Sequence, residues 1–259
     1  MRIDREQELL NHLQFSRHMS LSEAMTLMNI SESTARRLFA KLEYNHLAIR
    51  THGGIQLVTS FFDSYSFEHG AKTNIALKTL IGQKACSFVT NGDVIFCDSG
   101  TTIRCFCHAL ASYIQKNNLN VRFYTNSLAN LEILAPYADI TLIGGKYRIN
   151  RKDFCGYLAE QSMNELYFNK CFIGADGYTH DGKFTTTDFE TARLGEIAIR
   201  NSKQSFLLAD SSKFMVATHI AYAPAEKLEA VITDSGISEY AINSLNNNSC
   251  RIIYAAEGV

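Results

Sequence analysis

Four short clusters in the C-terminal three quarters of the chain carry residue types that bind small polar molecules. Asp98-Ser99-Gly100-Thr101-Thr102 lies between an apolar run at 94–97 and a helical stretch beginning near Thr101. Glycine and hydroxyl residues at a strand-to-helix turn present N–H groups and hydroxyls at the positive end of a helix, which suits a phosphate. The same residues also serve as ordinary helix caps. Thr125-Asn126 and Gly144-Gly145 close the next two apolar runs. Ligands in open α/β sheets bind beside the carboxyl ends of strands, so three such ends point to one crevice; turn chemistry alone also accounts for them. Gly174-Ala175-Asp176-Gly177 and Thr185-Thr186-Thr187-Asp188-Phe189-Glu190 add three carboxylates. These acids can accept bonds from sugar hydroxyls, perform acid–base work, or act as turn and cap residues. Asp210-Ser211-Ser212-Lys213 places a lysine just past a strand end, where it completes a phosphate site or pairs with a carboxylate.

The elements that position these clusters follow from hydrophobic patterning. Residues 72–90 read as a helix carrying Ile75, Leu77, Leu80, Ile81, Ala85 and Phe88. Apolar runs at 94–97, 121–124, 140–143, 171–173, 206–209, 230–233 and 251–254 then alternate with helical stretches. Continuous apolar strands separated by helices predict a mostly parallel sheet covered on both faces.

Residues 1–58 differ. Leu9, Leu10 and Leu13, then Leu21, Ala24, Leu27 and Met28, then Ala35, Leu38 and Leu42 follow helical spacing in three short segments, with Ser20 and Ser31 as N-caps. Residues 49–58 read as two short strands around Gly53-Gly54. Three helices followed by a hairpin is the order of a winged helix-turn-helix. The third helix carries Ser31, Ser33, Thr34, Arg36, Arg37 and Lys41, and the hairpin carries Arg50, Thr51, His52 and Gly53. Small polar residues at a helix start allow close approach to a major groove, and arginines reach guanine edges or phosphates. Over 31–54 four basic residues (36, 37, 41, 50) face two acids (32, 43), a local excess within a chain whose net charge is −1. Residues 59–71 lack a period and read as a linker, and 72–259 as the α/β domain.

The chain has 259 residues, room for two domains, with an ordinary 46% hydrophobic and 20% charged composition. Seven cysteines without a CxxC pair read as free thiols in a reducing compartment. Cys105-x-Cys107-His108 falls on a predicted helix, where its last two members point to different faces, so no metal is expected there. The charged start, MRIDREQELL, has no apolar signal segment, and no apolar run is long enough to span a bilayer. A cytoplasmic protein without a cofactor is the expectation.

Ile30-Ser31-Glu32-Ser33-Thr34-Ala35-Arg36-Arg37, then Leu42-Glu43 and Ile49-Arg50-Thr51-His52-Gly53-Gly54, resemble the DNA-binding domain of DeoR-type repressors. Leu38 stands where that family usually has Asp, and Ala35 where it prefers Ile or Val, so operator contacts are expected to differ; the wing matches. The later clusters resemble the DeoR-type sensor domain in the same order, and Lys78 and Ala85 fit its first helix. The resemblance spans roughly residues 3 to 255. It implies a sensor fold similar to ribose-5-phosphate isomerase and coenzyme A transferases. It also implies a sugar-phosphate pocket drawing on Asp98, Ser99, Gly100, Thr101, Thr102, Thr125, Asn126, Gly144, Gly145, Asp176, Gly177, Glu190 and Lys213. The isomerases usually place an acid where this chain has Gly177, which speaks against catalysis.

The reading is therefore an effector-modulated regulator, a repressor of carbohydrate genes, binding double-stranded operator DNA as a homodimer or homotetramer. The alternatives are an isomerase-like enzyme using Asp176, Asp188 and Glu190, and an adaptor whose winged helix holds a protein.

Overall fold

A computed structural model describes residues 5–16, 18–44, 47–51, 53–57 and 67–256. The chain divides into two compact units, one ending at Ser64 and the other beginning at Tyr65.

The first unit contains α1 (Arg5–Ser16), β1 (His18–Ser20), α2 (Leu21–Met28), α3 (Glu32–Tyr44), β2 (Ala48–Thr51) and β3 (Gly54–Leu57). The three strands form an antiparallel sheet in the order β1-β3-β2. The expected hairpin is thus present, and β1 adds a third strand that the sequence pattern did not announce. Ser20 caps α2: its hydroxyl accepts from the Glu23 amide while the Glu23 carboxylate accepts from the Ser20 amide, a reciprocal capping box. Leu9, Leu10, Leu13, Ala24, Ala35, Phe39, Leu42 and Ile55 form the buried interior. Leu27, which fits the periodic pattern, is 51% exposed instead.

The second unit is built on a seven-stranded sheet in the order β15-β14-β12-β9-β4-β5-β6, every neighbouring pair parallel. Its strands are β4 (Val94–Cys97), β5 (Arg122–Thr125), β6 (Asp139–Leu142), β9 (Phe168–Gly174), β12 (Ser202–Leu208), β14 (Ala230–Thr233) and β15 (Arg251–Tyr254), each on one of the seven apolar runs. Alternate residues of each central strand feed two separate cores. Ile95, Phe172, Phe206, Leu208 and Ile232 pack with α5 (Ile75–Cys86) and α6 (Thr101–Asn117); Phe96, Ile173, Leu207 and Val231 pack with the helix Phe189–Arg200. Burial on both faces is why these strands read as unbroken apolar runs. Phe106, Phe172 and Phe206 stack through the first core at centroid distances of 4.4 and 5.2 Å. Cys105 and Cys107 are buried on α6 while His108 is exposed, and among the described residues no His/Cys/Asp/Glu cluster of metal-binding geometry occurs.

The chain enters this sheet at β4, runs outward through β5 and β6, then returns to place β9 on the other side of β4. The strand order reverses between β4 and β9, and the crevice at such a reversal is where open α/β sheets bind ligands. Smaller elements cover the carboxyl edge: a hairpin of β7 (Lys146–Arg148) and β8 (Asp153–Cys155), and an antiparallel sheet of β10 (Gly177–Tyr178), β11 (Lys183–Thr186) and β13 (Ile220–Pro224). Residues 59–66 of the expected linker lie outside the described residues. Its end does not: Phe67–Gly70 form a short helix, α4, within the second unit.

Candidate DNA interface and effector site

On α3 the apolar positions Ala35, Phe39 and Leu42 recur at helical spacing and are buried, which turns Ser33, Arg36 and Arg37 outward. Ser31, just before the helix, binds the Thr34 amide at 3.4 Å and exchanges hydroxyl bonds with Ser33 (3.1 Å) and Thr34 (3.0 Å). Arg36 pairs with Glu32 one turn back at 2.8 Å, in an exposed pair of little net strength. Arg37 is exposed and has no ion pair with the described residues. Lys41 is bridged to Glu6 of α1. Arg50 binds Glu43 through both its amide (3.0 Å) and its side chain, and these bonds hold the Glu43 carboxyl below the usual range. Lys41 and Arg50 therefore tie the recognition helix to α1 and the wing, in addition to any role toward DNA.

At the wing, Thr51 is exposed and pairs with Gly54; His52 lies outside the described residues. The two glycines differ in their reasons. Gly53 has φ +94 with open space around it, the left-handed turn that glycine adopts without strain. A Cβ on Gly54 would sit 2.4 Å from the Met19 carbonyl oxygen of β1. Gly54 thus serves strand packing, in addition to its place in the turn.

In the second unit the switch-point crevice is built from residues far apart in sequence. Asp98, directly after β4, is buried and accepts the amides of Ser99 (2.7 Å) and Gly174 at the end of β9 (3.3 Å). Burial pushes its carboxyl up to about 6, against those two bonds and with Asp153 adding to the rise. Ser99 donates its hydroxyl to the fully buried Asp153 of β8 at 2.8 Å. The first helical bond of α6 runs from Arg104 to Gly100, which leaves the amides of Thr101, Thr102 and Ile103 without intrahelical acceptors. Buried Lys78 of α5 donates to the Thr101 hydroxyl (3.0 Å) and to the Gly70 carbonyl (2.7 Å). Burial lowers its ammonium to about 8, with Lys213 lowering it further and Asp210 opposing.

Above this floor, the β7–β8 hairpin brings in two arginines. Arg148 donates to both oxygens of Asp153 (2.8 and 2.7 Å), to Asp188 (2.7 Å) and to the Thr191 hydroxyl (2.9 Å). Burial opposes its charge, but these carboxylates prevail and its pKa is raised. Arg151 bonds the Thr187 hydroxyl and lies 3.0 Å from Asp188 and 3.8 Å from Asp176. Burial would raise the Asp188 carboxyl; Arg151 and Arg148 hold it below its ordinary value. Glu190 sits 3.6 Å from Lys146 and 3.7 Å from Arg148.

Hydrogen bonds and ion pairs thus connect Asp98, Ser99, Asp176 and Glu190 through Asp153, Arg148, Asp188 and Arg151, and Gly100, Thr101 and Thr102 form the adjoining start of α6. Gly145 lets the hairpin pack: its Cβ would lie 2.5 Å from the Cys155 carbonyl, while the neighbouring Gly144 is exposed. Thr125 and Asn126 are buried scaffold, bonded to the Cys97 and Phe154 carbonyls at 2.7 and 3.1 Å. Gly177 is turned away, paired with Thr185 in β10–β11 and closely packed on Val216. Lys213 is half-buried on the 3-10 turn after β12. Arg148, Arg151, Asp153 and Lys146 were missed by sequence reasoning. The available signal was the basic string Lys146-Tyr147-Arg148-Ile149-Asn150-Arg151-Lys152 directly after Gly144-Gly145.

A winged helix-turn-helix followed by an α/β unit with a crevice at its switch point defines a ligand-responsive DNA-binding regulator. The chain belongs to the DeoR family of transcriptional regulators: residues 5–61 match the DeoR-like helix-turn-helix domain and residues 73–235 the DeoR C terminal sensor domain. It is 33% identical over 243 residues to the lactose phosphotransferase system repressor of Lactococcus lactis subsp. lactis, covering 90% of this chain and 91% of that one. It is 27% identical to the HTH-type transcriptional repressor GlcR of Bacillus subtilis (strain 168), covering 95% and 93%. Among solved structures, ribose 5-phosphate isomerase A from Methanocaldococcus jannaschii covers 55% of each chain at 19% identity and TM-score 0.42. The full-length sorbitol operon regulator SorC from Klebsiella pneumoniae covers 95% of this chain and 99% of its own at 10% identity and TM-score 0.41. By its family, the protein is a DNA-binding transcriptional regulator. No helix among the described residues is long and apolar enough to cross a membrane.

Proposed function

We propose that this protein represses carbohydrate-metabolism genes in the cytoplasm, and that a phosphorylated sugar in the switch-point crevice sets its affinity for operator DNA. The observation that carries the reading is the start of α6. The amides of Thr101, Thr102 and Ile103 head a 17-residue helix beside Ser99 and the Lys78 ammonium, a donor set suited to one phosphate. Asp176 and Glu190 then face the hydroxyls of the sugar. Residues up to 58 form the DNA-binding domain and those from 72 the sensing and assembly domain. The wing contacts the backbone while Ser33, Arg36 and Arg37 read the major groove, and two half-sites are read by a homodimer or homotetramer. Relatives whose names carry lactose and repressor support the carbohydrate assignment.

The test is a thermal-shift screen against sugar phosphates and the matching free sugars, followed by operator binding with each hit. A ligand at a hundredfold excess over Kd adds about 2.7 kcal/mol to stability. Selective stabilisation by a phosphorylated sugar, lost in Thr101→Val without unfolding, is the expected result. Equal shifts with free sugars, or an undiminished response in Thr101→Val, would remove the phosphate from the mechanism.

A further inference from the structure

Within the second unit, α4 is the first described element after the residues leading from the DNA-binding unit. It is held at both ends by parts of the effector site. At its start, Phe67 is buried, its amide donates to the Asn150 carbonyl in the β7–β8 turn at 2.9 Å, and Lys152 of that turn lies 5.8 Å above its ring. Glu68 is ion-paired with the same Lys152. At its end, the Gly70 carbonyl accepts the Lys78 ammonium, which also holds the Thr101 hydroxyl at the first turn of α6. A Cβ on Gly70 would lie 3.2 Å from the Thr101 methyl, so the two segments are in close contact. Alongside α4 lies an open cleft of about 270 Å³, lined in part by Phe67, Glu68, Ala71, Tyr147 and Lys152. The short helix therefore has space on one side.

We infer that α4 is the coupling element of this regulator and that the Lys78 ammonium is its latch. The inference rests on the phosphate reading of the α6 start given above. An anion at that start competes for the ammonium, because a charge-assisted bond to phosphate is stronger than one to a neutral carbonyl. Gly70 then loses its buried cationic donor, and α4 shifts into the cleft. The arginine-bearing hairpin, tied to Phe67 and Glu68, feels occupancy at the sugar end and acts on the same helix. Both ends of the crevice thus converge on four residues, a two-state element that occupancy biases.

The test is amide hydrogen exchange on the full-length chain, with inorganic phosphate as probe against chloride at matched ionic strength. Protection of 101–104 together with faster exchange at 67–71 is the expected result. Protection of 101–104 with no change at 67–71 overturns the coupling and leaves the phosphate site standing. No protection at 101–104 overturns the phosphate site and this inference with it. Lys78→Met, if its circular dichroism matches the parent, is expected to speed exchange at 67–71 on the order of tenfold without phosphate, as for loss of one hydrogen bond from a charged donor. An unchanged rate in that variant rejects the latch. If the variant does not fold, the phosphate experiment on the parent chain decides alone.

Discussion

Replacing Arg148 by Met tests whether the lattice over the crevice is structural. The substitution keeps an apolar stem of similar length and removes four hydrogen bonds, two to Asp153, one to Asp188 and one to Thr191. Asp153 is 0% exposed and keeps the Ser99 hydroxyl as a side-chain partner. Taking away one member of a buried ion pair costs about 3–5 kcal/mol, because the other charge stays behind without compensation. For a unit of this size each kcal/mol lowers Tm by about 2–4 °C, so even about 3 kcal/mol gives a fall of roughly 6–12 °C. The chain has no tryptophan, so urea unfolding followed by circular dichroism is the natural assay, with two transitions allowed for the two units. A second substitution, Asp153→Asn, removes the stranded charge. The double variant is expected to be less destabilised than the sum of the two single ones. A loss under about 1 kcal/mol in Arg148→Met, or simple additivity, would refute the reasoning.

Asp98 supplies a pH test. Its carboxyl titrates at about 6 in the folded chain against an ordinary value of 3.8, so between these values the folded state binds more protons than the unfolded one. Stability from this group therefore falls as pH rises from about 4 to about 6. Asp98→Asn should remove that slope and gain up to about 3 kcal/mol relative to the parent above pH 6; parallel stability profiles for the two proteins would contradict it. In the wing, Gly54→Ala should destabilise the first unit more than Gly53→Ala. The former drives a methyl to 2.4 Å from the Met19 oxygen, while the latter meets open space and bears only backbone strain of about 1–2 kcal/mol. Calorimetry of the two variants showing the opposite order would overturn the packing argument. Arg37→Ala should weaken operator binding by about 1–3 kcal/mol while leaving ligand-induced thermal shifts intact. Undiminished affinity in a titration with an operator selected from random DNA would displace Arg37 from the interface.

The sequence alone determined the features that depend on neighbours in the chain. Seven apolar runs marked all seven parallel strands, most directly at the centre of the sheet, where a strand such as β14 is buried on both faces and apolar along most of its length; the edge strands β6 and β15 are partly exposed. Helical spacing marked α3, though Phe39 and not Leu38 joins Ala35 and Leu42 on its buried face, and Gly53-Gly54 marked the wing, because turn conformation is a local property. Asp98-Ser99-Gly100-Thr101 marked the helix start for the same reason. Tertiary structure decided everything that rests on distant partners. Ser99 reaches Asp153 across 54 positions, and Arg148 reaches Asp188 across 40. Nothing in the local pattern of 146–152 says that its arginines face carboxylates instead of water. Gly54 read as half of a turn; only β1, paired beside it, showed whose backbone fills the space that a side chain would need. Lys78 read as one position on a helix; only folding placed its ammonium between Gly70 and Thr101, where low dielectric and two fixed acceptors give it a specific task.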